Sequence, residues 1–241
     1  MQTTTDPIAV LVHGAFAESA SWNGVIARLA AAGVPALAAA NPLRGVQSDG
    51  QYVRDVVASL ERPVVLVGHS YGGHVITEAA AGNPAVRGLV YVSAFAPEIG
   101  ESALELSNRF PGSTLGDAVV PRTLTAGGTE LSIDPAKFHQ QFAADADATT
   151  AALMAATQRP VTEAALTAGP TGDAPSWREL PTWFIWGAAD RNIPAEALRF
   201  MADRAAGHQR TEIPAAGHAL PVTQPDAVAD TILRAIAAVK A

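Results

Sequence analysis

The sequence predicts an α/β protein built on one open, mainly parallel sheet of six strands with helices on both faces. Three observations carry that prediction. Short apolar runs without polar alternation recur along the chain, helical patterns separate them, and a serine flanked by glycines stands where one run passes into a helix. Strands buried on both faces read as continuous apolar stretches, and their alternation with helices calls for parallel pairing through right-handed crossovers.

The elements follow in order. Ile8–Val12 is the first expected strand, and Trp22, Ile26 and Leu29 recur at helical spacing behind it. Pro35–Ala40 is the second strand, followed by a helix carrying Val53, Val56, Val57 and Leu60. Val64–Val67 leads through Ser70 into a helix with Val75, Ile76, Ala79 and Ala80, and Gly88–Ser93 is the fourth strand. Thr182–Trp186 and Arg210–Ile213 complete the set, followed respectively by helical patterns at Ala195–Ala206 and at Val228, Ile232, Ile236 and Val239. The first five strands are expected to be buried on both faces, and the last reads weaker.

Between Pro97 and Trp177 the alternation stops. That stretch carries Gly and Pro punctuation and helical patterns at Asp134–Ala144 and Ala148–Gln158, with no strand expected. It is read as a helical cap inserted after the fourth strand, since long insertions of this kind serve as lids over sites. The core domain is then residues 1–96 and 178–241, and the cap residues 97–177.

Composition narrows the function. With 241 residues, 49% of them hydrophobic and 16% charged, the chain supports one large core. A net charge of −7 without clustered Lys or Arg argues against a nucleic-acid groove and against an anionic membrane surface. The absence of cysteine removes thiolate nucleophiles, thiolate metal sites and disulfides. The amino-terminal Met1–Pro7 lacks a basic region followed by an apolar stretch, and the longest apolar run, Leu29–Ala40, is broken by Gly33 and Pro35. A cytoplasmic protein acting on a small molecule is expected, with no metal and no cofactor; the oligomeric state leaves no mark in the sequence.

Gly68-His69-Ser70-Tyr71-Gly72 reads as a nucleophile elbow. The serine must stand on a turn so tight that side chains two residues to either side would collide with the strand or the helix. The helix that follows aims its free N–H groups and positive dipole end at any oxyanion formed beside Ser70. A serine hydroxyl needs a base, usually histidine, held in its tautomer by a carboxylate. His218 follows the last strand and Asp190 the fifth, so both fall at the carboxyl edge of the sheet, on the same side as Ser70. Glu98, after the fourth strand, is the rival acid. His139 and His208 are read as solvated or packed, and His69 and His74 as packing or polar support. After the first strand, His13-Gly14-Ala15-Phe16 can bring the Ala15 N–H beside that of Tyr71 as an oxyanion hole. Phe138, Phe142 and Met154 from the cap, with Phe16, Phe95 and Leu220 from the sheet side, are expected to line an apolar substrate pocket without a charged group aimed into it.

The set His13-Gly14-Ala15, Val67-Gly68-His69-Ser70-Tyr71-Gly72-Gly73, Trp186-Gly187-Ala188-Ala189-Asp190 and Gly217-His218 resembles the α/β-hydrolase family over nearly the whole chain. With Trp22 and Ala94-Phe95-Ala96-Pro97 added, it looks like the small single-domain esterases, including the plant methyl esterase and hydroxynitrile lyase branch and bacterial relatives. The chain opens directly on the His-Gly strand without the family's usual leading hairpin, so a trimmed six-stranded α/β-hydrolase sheet is expected. The resemblance implies a serine ester hydrolase acting on small to medium uncharged esters through an acyl-enzyme. Lyases of that branch resemble it with a lysine beside the catalytic histidine, where this chain has Ala219 and Leu220. Cofactor-free perhydrolysis on the same residues, and a ligand receptor that keeps the fold, are the other readings.

Overall fold

A computed structural model describes residues 6–240. Met1–Thr5, the start of the segment read as carrying no leader, lie outside the described residues. Strand β1 (Ile8–Val12) is followed by helix α1 (Asn23–Ala31), β2 (Ala36–Ala39), α2 (Val46–Ser59), β3 (Val64–His69), α3 (Gly72–Ala80) and β4 (Val86–Val92). The insertion holds α4 (Ala103–Asn108), β5 (Val119–Thr123), β6 (Thr129–Ile133), α5 (Pro135–Phe142), α6 (Ala148–Thr157), β7 (Val161–Thr162) and α7 (Glu163–Thr167). The chain then returns through β8 (Thr182–Gly187), α8 (Ala195–Arg204), β9 (Gln209–Ile213), α9 (Leu220–Thr223) and α10 (Pro225–Val239).

The main sheet has six strands in the order β2-β1-β3-β4-β8-β9, every neighbouring pair parallel. Its apolar runs are explained by two cores. Val10, Leu66, Leu89, Tyr91 and Phe184 point to one face, with Val53 and Val57 of α2 and Val75 and Ile76 of α3. Leu11, Val65, Val67, Val90 and Ile185 point to the other, where Val25 and Leu29 of α1 and Ile232 and Ile236 of α10 cover them. Successive residues of the inner strands thus enter opposite cores, which is why those runs are apolar without alternation.

Two expectations are corrected. The second strand was expected to be buried on both faces, yet Ala36, Leu37 and Ala38 are only half-buried. β2 is an edge strand, with a neighbour on one side only. The insertion, expected to hold no strand, carries a three-stranded antiparallel sheet, β5-β6-β7, beside the expected helices. Its signal is masked for physical reasons. β5 contains Pro121, tolerated because β5 lies at the sheet's edge, and a buried position of β6 is filled by Glu130. That carboxylate is paired with Arg44 at 2.9 Å and with Arg122, so a buried residue reads as polar in the sequence. Gly127 and Gly128, both at positive φ, make the hairpin turn between the two strands. Among the described residues no helix is long and apolar enough to cross a membrane.

Leu66 is fully buried on the central strand. Leu66→Ala should cost about 2–5 kcal/mol through lost burial and residual cavity, read as a fall in the urea midpoint at unchanged m-value.

Candidate active site

Ser70 sits between the end of β3 and the start of α3 with φ at +55°, left-handed backbone that an L residue adopts at a cost of roughly 1–3 kcal/mol. The flanking glycines make the turn possible. A Cβ on Gly68 would stand 2.6 Å from the Gly72 carbonyl oxygen, and one on Gly72 would run into the Val12 carbonyl oxygen of β1. The elbow is therefore packed backbone to backbone, and Ser70 is buried at its apex.

Asp190 and His218 reach the same sheet edge from the loops after β8 and β9. The His218 Nδ1–H donates to Asp190 Oδ2 at 2.7 Å. Asp190 Oδ1 accepts from the backbone N–H groups of Asn192 at 2.8 Å and Ile193 at 2.9 Å. Both side chains are buried, so the carboxylate's charge is balanced by three donors instead of by water. This arrangement leaves His218 Nε2 buried with no partner among the described residues, while the ring lines the same cavity as Ser70. Glu98, the rival acid, is turned away and pairs with Arg178.

Ala15 and Tyr71 are buried and line that cavity beside Ser70. No protein acceptor takes either backbone N–H among the described residues. The Tyr71 phenol donates to Asp49 Oδ2 at 2.9 Å. Asp49 is fully buried and also accepts from the backbone N–H of Arg44 at 3.0 Å and of Gly45 at 3.3 Å. Burial raises the Asp49 carboxyl above its ordinary range, and these hydrogen bonds oppose the rise. Burial likewise pushes the Tyr71 phenol well up, with the Asp49 carboxylate adding to the effect.

The flanking histidines are braces. His69 Nε2–H donates to the His218 carbonyl at 3.0 Å, and the two rings lie 4.8 Å apart. His74 Nε2–H donates to the Glu101 carbonyl at 3.0 Å and its ring stacks on Tyr71. Burial is the main cause that holds His69 well below its ordinary range and brings His74 down to about 4. Both rings are neutral at physiological pH. The insertion adds a contact to each of the loops after β1, β8 and β9. Gln141 Nε2 donates to Asn192 Oδ1 at 2.8 Å and to the Arg191 carbonyl at 3.0 Å, Asp145 accepts from the Gly217 N–H at 3.1 Å, and the Arg159 carbonyl accepts from the Phe16 N–H at 3.1 Å.

The cavity over Ser70 has a volume of about 320 Å³. Phe16, Phe95 and Phe142 line it, joined by Leu131, Leu166 and Ile193. His218 is its one titratable imidazole, and no carboxylate, lysine or arginine among the described residues reaches it. The structure takes three expected residues out of the wall. Phe138 stacks behind Phe142 with ring centroids 5.0 Å apart, Met154 lines a separate groove, and Leu220 is buried in the core on the opposite sheet face. Sequence reasoning missed the supporting roles of Asp49, Gln141 and Asn192. Only the last stood near a motif, two residues after Asp190.

Comparison with known proteins agrees with this architecture. The profile described as "Alpha/beta hydrolase family" matches residues 9–231. A carbendazim-hydrolysing esterase of Nocardioides sp. (strain SG-4G) is 38% identical over 110 residues, covering 40% of this chain and 46% of that protein. The chain thus matches less than half the length of this curated relative. Among solved structures, polyneuridine aldehyde esterase superposes with a TM-score of 0.82 at 19% identity, covering 95% of this chain and 98% of that one. A methylesterase from Arabidopsis gives 0.75 at 18% identity, covering 95% and 99%. At such identities the structural likeness speaks for the fold.

The buried imidazole of His74 makes stability depend on pH. Its value is 6.5 when unperturbed and about 4 when folded. Above pH 6.5 neither state is protonated and the folded state keeps its full stability. As the pH falls from 6.5 toward 4, the unfolded chain binds a proton that the folded chain refuses, and stability is lost at up to about 1.4 kcal/mol per pH unit. His74→Gln, which removes the titration, should flatten the pH dependence of the urea midpoint across that window. An unchanged slope would show that His74 titrates freely in the folded protein.

Proposed function

The chain belongs to the alpha/beta hydrolase family, and from that premise we propose that it is a serine ester hydrolase working through Ser70, His218 and Asp190. One observation carries the proposal: His218 is bonded through Nδ1 to Asp190 and keeps Nε2 unpaired in the cavity that Ser70 enters. An imidazole so held is a base with its tautomer set. Ser70 Oγ attacks the ester carbonyl while His218 Nε2 takes its proton. The tetrahedral oxyanion is held by the Ala15 and Tyr71 N–H groups, a device worth about 2.7–4 kcal/mol per donor. His218 returns the proton to the leaving alkoxide, and the acyl group remains on Ser70. Water then enters, gives a proton to His218 as it attacks the acyl carbonyl, and collapse of the second tetrahedral intermediate releases the acid as His218 returns that proton to Ser70 Oγ.

Asp190 orients His218 and offsets the charge of the imidazolium. The phenol of Tyr71, fastened to Asp49, keeps the second oxyanion donor in place. Residues 97–177 act as the cap, supplying Leu131, Phe142 and Leu166 to the cavity. The substrate is an uncharged ester with a small to medium chain, since no charged side chain is present to receive a carboxylate and about 320 Å³ lies at the lower end of small-molecule sites. The name of one relative, a carbendazim-hydrolysing esterase, supports the hydrolase reading.

An activated phosphonate should add one adduct mass to the wild type, mapping to Ser70, and none to Ser70→Ala. Labelling elsewhere with activity retained would falsify the assignment. Asp190→Asn should lower kcat by about 10⁴-fold by misorienting the imidazole, whereas Glu98→Gln should leave it near wild type; the reverse outcome transfers the role to Glu98. Cyanide release from mandelonitrile that depends on Ser70 would move the reaction from hydrolysis to lysis.

A further inference from the structure

Phe16 borders two hollows at once. On one side it lines the cavity over Ser70, and on the other it lines a groove of about 430 Å³ with Ala17, Ala20, Leu153, Met154 and Val222. The groove includes neither Ser70 nor His218, and Phe16 is the residue that the linings of the cavity and this second space share. Leu153 on its wall is 63% exposed, an apolar side chain left open to solvent where a surface helix usually carries a polar one. Phe16 itself is buried, and its φ of +60° is a left-handed conformation that a non-glycine residue rarely adopts. Two contacts from one cap residue hold it there. The Phe16 N–H donates to the Arg159 carbonyl at 3.1 Å, and the Arg159 Nε donates to Glu18 at 3.0 Å on the same turn.

We propose that Phe16 is the specificity-determining residue of the site: its ring closes the catalytic cavity against the groove and sets the longest straight chain the ester can carry. The proposal rests on the hydrolase reading and deepens it. Ala15, the neighbour of Phe16, supplies an oxyanion donor, so a chain leaving the bound carbonyl on that side meets the Phe16 ring within its first few carbons. With the ring removed, the cavity and groove join into one apolar channel, and further methylenes continue past Met154 and Leu153 instead of stopping. The substrate class of the native enzyme is thereby restricted to esters whose chain on the Ala15 side is short.

The test measures kcat/KM for p-nitrophenyl esters from acetate to dodecanoate, and for acetates of alcohols over the same range, in wild type, Phe16→Leu and Phe16→Ala. In one of the two series the optimum should move to longer chains, further in Phe16→Ala than in Phe16→Leu, with each newly buried methylene worth up to about fourfold. Adding Met154→Trp to Phe16→Ala refills the groove and should bring the optimum back. The same substitutions in a Ser70→Ala background, with binding of straight-chain N-methylamides followed calorimetrically, give a readout that needs no turnover. Turnover with an unmoved optimum in both Phe16 variants overturns the partition and leaves the hydrolase reading standing. Absence of ester turnover with a shift in amide chain-length preference overturns the hydrolase reading and keeps the partition. A long-chain gain that survives Met154→Trp overturns the groove as the extension. If Phe16→Ala does not fold, Phe16→Leu carries the same comparison.

Discussion

The geometry of the site depends on one steric constraint, the backbone-to-backbone packing around Ser70. β3 runs through the middle of the sheet between β1 and β4, and the turn at its end has carbonyls of both neighbours within van der Waals reach. A Cβ on Gly72 would meet Val12, and one on Gly73 would meet Phe95. The space those methyl groups would fill is what lets α3 start directly against the end of β1. Because it does, the Tyr71 N–H at the head of α3 and the Ala15 N–H in the loop after β1 come to border the same cavity. The strained φ of Ser70 is paid for by this packing, which leaves the chain no roomier alternative.

A second principle is the satisfaction of buried polar groups by neighbours that themselves belong to the site. Asp190 is neutralised by His218 and two backbone N–H groups, Asp49 by the Tyr71 phenol and the Arg44–Gly45 backbone, and His69 spends its Nε2 proton on the carbonyl of His218. Three of these bonds, His218 to Asp190, Tyr71 to Asp49 and His69 to His218, join segments distant in sequence. Removing one partner would leave the other buried and unpaired, which is costlier than the bond itself is favourable.

The parts legible in the sequence were those where a local rule and the tertiary environment agree. β1, β3, β4 and β8 were readable because burial on both faces permits only apolar residues, and the elbow because its glycines are required by contacts within a few residues. The meeting of Asp190 and His218 was readable because strand ends in a parallel sheet converge on one edge, a property of topology. The rest depended on information that no window of sequence contains. Glu130 looks like a surface residue until Arg44, 86 positions away, is placed against it. Phe138 and Phe142 stand four apart on one helix and look equivalent, yet only Phe142 reaches His218, with ring centroids 5.0 Å apart, and Phe138 backs it. Leu220 lies two residues after His218 in sequence, but α9 begins there and turns its side chain into the core behind the sheet. The half-buried β2 shows the same limit, since an edge position is a matter of strand order alone.

The insertion touches three of the loops that carry the site: the loop after β1 through Arg159, the loop after β8 through Gln141 and the loop after β9 through Asp145. These are neither mainly apolar contacts nor contacts with substrate; they are hydrogen bonds whose partners on the core side are largely backbone groups. A segment joined in this way is not a detachable module. Transplanting it onto a related core, or replacing it with a shorter loop, would take away carbonyl and carboxylate acceptors that the core's own backbone relies on.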